Sequence, residues 1–429
     1  VIAAPHSGAG KTLITLGLLR ALKEMKCDIS SAKVGPDYID VAFHSVACGV
    51  PCINLDIWVM GEKQIQGLAA QAQNLLLVEG VMGLFDGADD GYGSTADVAA
   101  ALGLPVVLIV DARAQGASAA ALLYGFKTFR SDIHLAGVIF NRVGSERHAA
   151  LLKKAATKVA LPVLGCLPRD ERLHMPSRHL GLVQAAEYRD LEILISHAAD
   201  VVKKHVDLAW LQSICAPVRG SDHRLAPLPP LGQRLAIARD EAFSFLYHHL
   251  LDGWYRLGAE ITFFSPLADE APLADADAIF LPGGYPELHA GRLAQNRHFI
   301  DGLQKAAKQA LIYGECGGFM ALGECLIDGD GVAHEMAGLL PVVTSFESRT
   351  RHLGYRKLTH ESPLPWPKAL RGHEFHYSTL ISDDREESLF KATNAIDEPL
   401  LPMGYCKGRV MGSYAHVISG DEGCITWAS

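Results

Sequence analysis

The chain has 429 residues, of which 20% are charged and 49% hydrophobic, a balance that excludes a disordered protein and suits two or three globular domains. Its net charge of −9, with no long basic run, argues against nucleic acid as the main partner. No apolar run reaches the roughly 18–20 residues of a membrane span, and nine cysteines, an odd number without Cys-x-x-Cys pairs, argue against a disulfide framework or a structural zinc and fit a reducing cytoplasm.

Residues 1–190 alternate short apolar runs with helical patterns. Leu75–Val78, Pro105–Val110 and Leu135–Phe140 read as parallel strands buried on both faces, and Thr12–Met25 and Ser118–Phe129 as helices. The pattern predicts a doubly wound α/β domain. At its first strand–helix junction stands Ala3-Ala4-Pro5-His6-Ser7-Gly8-Ala9-Gly10-Lys11-Thr12. Its end matches the phosphate-binding Gly-Lys-[Ser/Thr] loop, with Pro5 where the first glycine of that pattern stands. Amides around Gly8 and Gly10 would cradle phosphates, Lys11 would reach the outer ones, and the Thr12 hydroxyl would ligate Mg²⁺. Glu79 follows a strand end, where a carboxylate commonly reaches the metal. Asp37, Asp40 and Asp86 lie in loops after strands, and with Lys33 they suggest a charged phosphoryl-transfer site. Each aspartate, taken singly, also fits a turn. Cys48 and Cys52 read as buried thiols.

Leu191–Ser213 predicts one or two closing helices, and the proline-rich stretch from Ala216 to Pro230 a linker, so that 191–233 joins the first domain to a second at 234–429. The second domain opens on the strand Arg234–Ala238. Gly314-Glu315-Cys316-Gly317-Gly318, between the apolar run Ala310–Tyr313 and the helical Phe319–Leu322, is the thiol counterpart of the Gly-x-Ser-x-Gly elbow. A thiol at a helix N-terminus is expected to favour thiolate. Gly284, in Leu281–Glu287, together with Gly317 would form an oxyanion hole. The base is expected at His416, with His373 and His376 as the other candidates. Cys166, Cys215, Cys325, Cys406 and Cys424 lack an elbow and read as packing residues.

Ala3–Thr12, Lys33–Asp40, Asn54–Asp56 and Glu79–Gly87 resemble the cobyrinic/hydrogenobyrinic acid a,c-diamide synthase family, and the resemblance covers essentially the whole chain. The resemblance implies a synthetase domain similar to dethiobiotin synthetase, followed by a class I glutamine amidotransferase domain. It implies ATP- and glutamine-dependent amidation of two corrin carboxylates through acyl phosphates. It also implies that Asn141 contacts adenine and that Asp37, Tyr38, Ile39 and Asp40 line the substrate side, with Glu79 and Asp86 near metal or substrate. His6 stands where the related partition ATPases carry a signature lysine. Ile418 stands where many class I amidotransferases carry the glutamate that orients the base. The substrates implied are a corrinoid macrocycle, glutamine and ATP, the lean is to the metal-free macrocycle, and a homodimer is left open. Cobyric acid synthase, nickel-sirohydrochlorin diamide synthase, or a nucleotide-binding protein with an inactive amidase domain are the alternative readings.

Overall fold

The computed structural model describes residues 1–72, 75–175, 184–220, 227–381 and 388–421. The chain divides into two compact units, Val1–Leu225 and Ala226–Ser429.

The first unit is built on seven strands: β1 (Ile2–Ala3), β2 (Ile29–Val34), β3 (Ile53–Leu55), β4 (Leu75–Glu79), β5 (Val106–Asp111), β6 (Leu135–Val143) and β7 (Val163–Pro168). They form one sheet in the order β3-β2-β4-β1-β5-β6-β7, with every pairing parallel. Strands such as Val106–Asp111 are buried at every residue, which is why their sequence runs apolar without alternation. Helix α1 (Lys11–Glu24) begins at the phosphate-loop motif. The predicted closing segment resolves into two helices, Leu191–His205 and Leu208–Ser213. The first packs on α1 where Gly17 leaves room: a Cβ there would lie 2.7 Å from the Ala198 carbonyl. This helix therefore belongs to the body of the first unit, by a packing contact that reading along the chain does not reveal. Part of the proline-rich stretch, and Cys424, lie outside the described residues.

The second unit has a six-stranded sheet. Its parallel centre runs Glu260–Phe264, Arg234–Ala238, Ala278–Leu281, Leu311–Glu315 and Val410–Ser413, with Tyr405–Lys407 antiparallel at one edge. A second sheet pairs Lys391–Thr393, His352–Thr359, Ala369–His376 and Ala415–Gly420, all antiparallel. The segment around His416 forms two strands in two sheets. The chain leaves the parallel sheet after Ser413 and enters the antiparallel one at Ala415. That crossing brings His416 to the C-terminal edge of the parallel sheet, where open α/β sheets place their ligands.

Candidate active sites

In the first unit, Gly8 and Gly10 hold left-handed backbone, φ +80° and +98°, as a loop turning its amides inward before a helix requires. Two residues near the end of β6 pin that loop. Asn141 Nδ2 donates to the Ala9 carbonyl at 2.9 Å, and Arg142 donates to the Gly8 carbonyl at 2.9 Å and to Asp111 at 2.6 Å. A cleft of about 430 Å³ lies on this side, lined by Gly10, Asn141, Arg142, Pro168 and Arg169 among others. Asn141, expected at the base of the nucleotide, lines it.

On the other side of the loop a cleft of about 500 Å³ is lined by Lys11, Thr12, Lys33, Asp37, Ile39, Asp40 and Glu79. Here charges interlock. Lys33 Nζ lies 2.6 Å from Asp40 Oδ2 and 2.8 Å from Glu79 Oε1. Thr12 Oγ1 donates to Glu79 at 2.7 Å and reaches Asp40 at 3.3 Å. Lys11 Nζ donates to the Met82 carbonyl at 2.5 Å. Burial, then the Lys33 charge, lower Lys11 below its ordinary range. Burial opposes the charge of Lys33, but Asp40 and Glu79 outweigh it and hold the ammonium on. Burial and the Asp37 charge raise Asp40 to about 6, against Lys33. Burial would raise Glu79 too, yet Lys33 and His44 hold it well below the carboxylate range. Thr12, Asp40 and Glu79 are hard oxygen donors converging beside a phosphate-binding loop, a donor set that fits Mg²⁺.

The remaining acidic residues have narrower tasks. Asp37 Oδ1 accepts from the amides of Ile39 and Asp40 at 2.8 and 2.9 Å, fixing the turn into helix Asp40–Cys48. Asp86 Oδ2 accepts from the Gly83 amide at 2.8 Å and so braces the turn that offers Met82 to Lys11. Tyr38 and Asp86, expected on the substrate side, are not among the described side chains that line the cleft; Tyr38 is buried, 9% exposed. The residue that reading the sequence missed is His44. Fully buried, it places Nε2 2.6 Å from Glu79 Oε2 and Nδ1 3.5 Å from Cys52 Sγ. Burial alone would lower it, but Cys52 and Glu79 raise it to about 10. The available signal was its spacing, one helical turn after Asp40, which sets both on one face. Cys48 and Cys52 are buried, as read, while Cys215 is exposed rather than packed.

In the second unit Cys316 sits at φ 46°, ψ −103° on the turn between strand Leu311–Glu315 and helix Gly317–Leu322, the strained backbone of a nucleophile elbow. The flanking glycines are sterically required: a Cβ on Gly318 would lie 1.9 Å from the Leu281 carbonyl and one on Gly314 2.7 Å from Gly318. The Pro282–Gly284 turn closes over the elbow. Gly318 donates to the Pro282 carbonyl at 3.1 Å, a Cβ on Gly317 would lie 3.0 Å from the Gly284 nitrogen, and one on Gly283 would lie 2.3 Å from His416 Cε1. Cys316, Gly317, Gly284 and His416 are therefore one cluster. His373 is the cross-strand partner of His416. His376 is engaged elsewhere, 2.8 Å from Glu374, which also holds Arg356 at 2.7 Å. His352, Glu374 and His376 could hold a metal ion by proximity, but Arg356 already neutralises that carboxylate. The expectation of a resting thiolate is reversed. Burial and the Glu287 carboxylate push the Cys316 thiol up, and a six-residue helix does not offset this. Burial likewise lowers His416 to about 3, so at neutral pH thiol and imidazole are both neutral.

No helix among the described residues is long and apolar enough to cross a membrane. The profile of the CobQ/CobB/MinD/ParA nucleotide binding domain matches residues 1–183, and that of the CobB/CobQ-like glutamine amidotransferase domain matches residues 234–423. Relatives that match nearly the whole chain carry the name hydrogenobyrinate a,c-diamide synthase. The protein of Brucella anthropi is 52% identical over 97% of this chain and 98% of its own. That of Rhizobium meliloti is 50% identical over 98% and 99%, and that of Rhodobacter capsulatus 48% identical over 98% and 98%. With a nucleotide-binding unit and an amidotransferase unit joined along nearly the full length of such relatives, the chain belongs to the hydrogenobyrinate a,c-diamide synthase family.

Proposed function

We propose that the chain uses ATP and glutamine to convert the a and c carboxylates of hydrogenobyrinic acid, the metal-free macrocycle of its relatives' name, into amides. The observation that carries this reading is the presence on one chain of two complementary sites. One is a lysine-lined phosphate loop facing carboxylates, and the other is a cysteine elbow backed by glycine amides and a histidine.

In the first unit, Lys11 and the loop amides bind the nucleotide phosphates, and Asn141 lies at the base. Thr12, Glu79 and Asp40 would hold Mg²⁺, which when bound offsets phosphate charge during transfer. Lys33 holds Asp40 and Glu79 together and adds positive charge beside the phosphoryl group. A substrate carboxylate oxygen attacks the γ-phosphorus, ADP leaves, and an acyl phosphate results. Ammonia then displaces phosphate from the acyl carbon. Asp37 and Ile39 shape the wall on which the substrate carboxylate is presented, and Asp86 braces the turn that carries Met82.

In the second unit, His416 takes the Cys316 proton as sulfur attacks the glutamine amide carbon. The Gly284 and Gly317 amides receive the developing oxyanion. Collapse expels ammonia, which carries off the proton from His416, and leaves a thioester that water hydrolyses to glutamate. A neutral pair suits this order, since charge appears only when substrate is present. The substrates are small molecules, and the reaction would run in the cytoplasm.

The test is incubation with hydrogenobyrinic acid or its cobalt form, ATP, Mg²⁺ and glutamine, followed by mass analysis. The expected product is the metal-free diamide. A diamide formed from cobyrinic acid alone, or amidation at other carboxylates, would overturn the substrate assignment.

A further inference from the structure

A histidine that takes a proton through one ring nitrogen needs the other nitrogen held by an acceptor, because that partner decides the tautomer. Two residues beyond His416 the side chain is that of Ile418, which offers no acceptor. A carboxylate approaches from the adjoining strand instead. Glu315, the last residue of Leu311–Glu315, is 2% exposed and His416 0%. Glu315 Oε2 lies 3.7 Å from His416 Nδ1. Its other oxygen, Oε1, accepts from the Val417 amide at 3.0 Å. Glu315 also pairs in register with Ser413, the last residue before the chain changes sheet. Glu315 thus meets the departing strand through its backbone, the arriving strand through Oε1, and the ring between them through Oε2.

Resting on the reading of this unit as a glutaminase, we propose that Glu315 is the positioning residue of His416. With Oε1 fixed on the Val417 amide, ionised Oε2, 3.7 Å from Nδ1, would close on Nδ1–H as its acceptor and reserve the Nε2 lone pair for the Cys316 proton. A protonated Glu315 would donate to Nδ1 instead and leave the ring proton on Nε2, the tautomer that cannot act as base. Glu315 loses one proton to solvent on ionising, and it keeps no part of the thiol proton during turnover.

The surrounding groups set when this happens. Tyr313 lies beside Glu315, while His373, His376 and Glu374 face His416, and Glu287 faces Cys316. Burial raises Glu315 to about 8, with the Val417 amide and the Tyr313 hydroxyl acting the other way. The reactive tautomer therefore grows as pH rises through that region.

The experiment compares glutaminase kcat and KM from pH 6 to 9.5 in the full-length wild type, Glu315→Gln and Glu315→Asp. Wild type is expected to show a limb rising with pH. Glu315→Gln should lose the limb and at least roughly tenfold in kcat, with KM near wild type, since an oriented general base supplies about 10²–10⁴-fold. Glu315→Asp should recover part of the limb. Ammonia-supported amide synthesis, which bypasses this unit, should stay unchanged in both. Wild-type kcat with the rising limb intact in Glu315→Gln would overturn the proposal. ¹⁵N shifts of His416 in the wild type keep the test independent of variant folding: an Nδ1–H tautomer above the midpoint supports it, and an Nε2–H tautomer throughout refutes it. Full glutamine-supported activity in Cys316→Ala would instead remove the glutaminase reading itself.

Discussion

The two sites solve opposite electrostatic problems with equally buried side chains. In the first unit Lys33, Glu79 and His44 are held charged against burial because each lies within 2.6 or 2.8 Å of an opposite or hydrogen-bonding partner, while burial and Asp37 raise Asp40 only to about 6. In the second, burial wins: the Cys316 thiol is pushed up and His416 down to about 3, leaving both neutral. The difference follows the chemistry. A transferring phosphoryl group is charged before, during and after reaction, so its site must be charged at rest. Attack on a neutral amide creates charge only in transit, so a neutral resting pair avoids the desolvation cost of a buried ion pair.

Breaking the charged side should have the largest effect. Lys11→Ala should stop amide formation with glutamine and with ammonia alike, because a lost transition-state charge contact costs roughly 3–4 kcal/mol or more. Ammonia-supported synthesis above a tenth of wild type would dissociate this loop from phosphoryl transfer. Cys316→Ala should abolish glutamine-supported synthesis and leave the ammonia-supported reaction largely intact, and His416→Ala should follow it. If His416→Ala behaves as wild type while His376→Ala is inactive, the base is misassigned.

A smaller effect separates two neighbours. Asp40 touches Lys33 and Thr12, whereas Asp37 spends one oxygen on the turn. Asp40→Asn should therefore slow amidation with both nitrogen sources, roughly 10–100-fold as for other groups around a metal site, and accumulate a monoamide. Asp37→Asn should do so more weakly. Time-resolved mass analysis of the macrocycle decides, and normal diamide rates in both variants would make the loop a structural turn only.

The smallest effect is on stability. The folded-state value of Glu315 is raised from 4.5 to about 8, so between those values the folded chain binds a proton that the unfolded chain has lost. Stability should fall as pH rises from about 4.5 to about 8. Glu315→Gln should flatten that slope in thermal midpoints measured across the range, and an unchanged slope would mean the carboxyl titrates normally.

What was legible in the sequence was local. Gly8, Gly10, Lys11 and Thr12 form a contiguous loop whose backbone needs are written in residue types. The same holds for the elbow, where Gly314 and Gly318 are dictated by contacts of 2.7 and 1.9 Å that any Cβ would make. Continuous apolar runs marked the buried parallel strands for the same reason. What was not legible depends on pairing between distant segments. His44 matters because helix Asp40–Cys48 leans on Glu79, 35 residues away. Glu315 reaches His416 only because the chain changes sheets at Tyr414. The packing of Leu191–His205 on α1 is likewise a through-space fact. Asp37 and Asp86 carried the right residue type, yet their side chains are bound largely to backbone amides. An aspartate after a strand looks the same in sequence whether it serves a turn or a ligand.

The central claim is that the two sites are halves of one reaction, joined by nitrogen from glutamine. Amide-¹⁵N glutamine supplied with hydrogenobyrinic acid, ATP and Mg²⁺ tests it directly. The mass of the product should show a diamide carrying two ¹⁵N atoms, formed only when ATP is present, and Cys316→Ala should give the same labelled diamide only from ¹⁵N-ammonium. A diamide without label, or labelled diamide formed by Cys316→Ala from glutamine, would contradict the account.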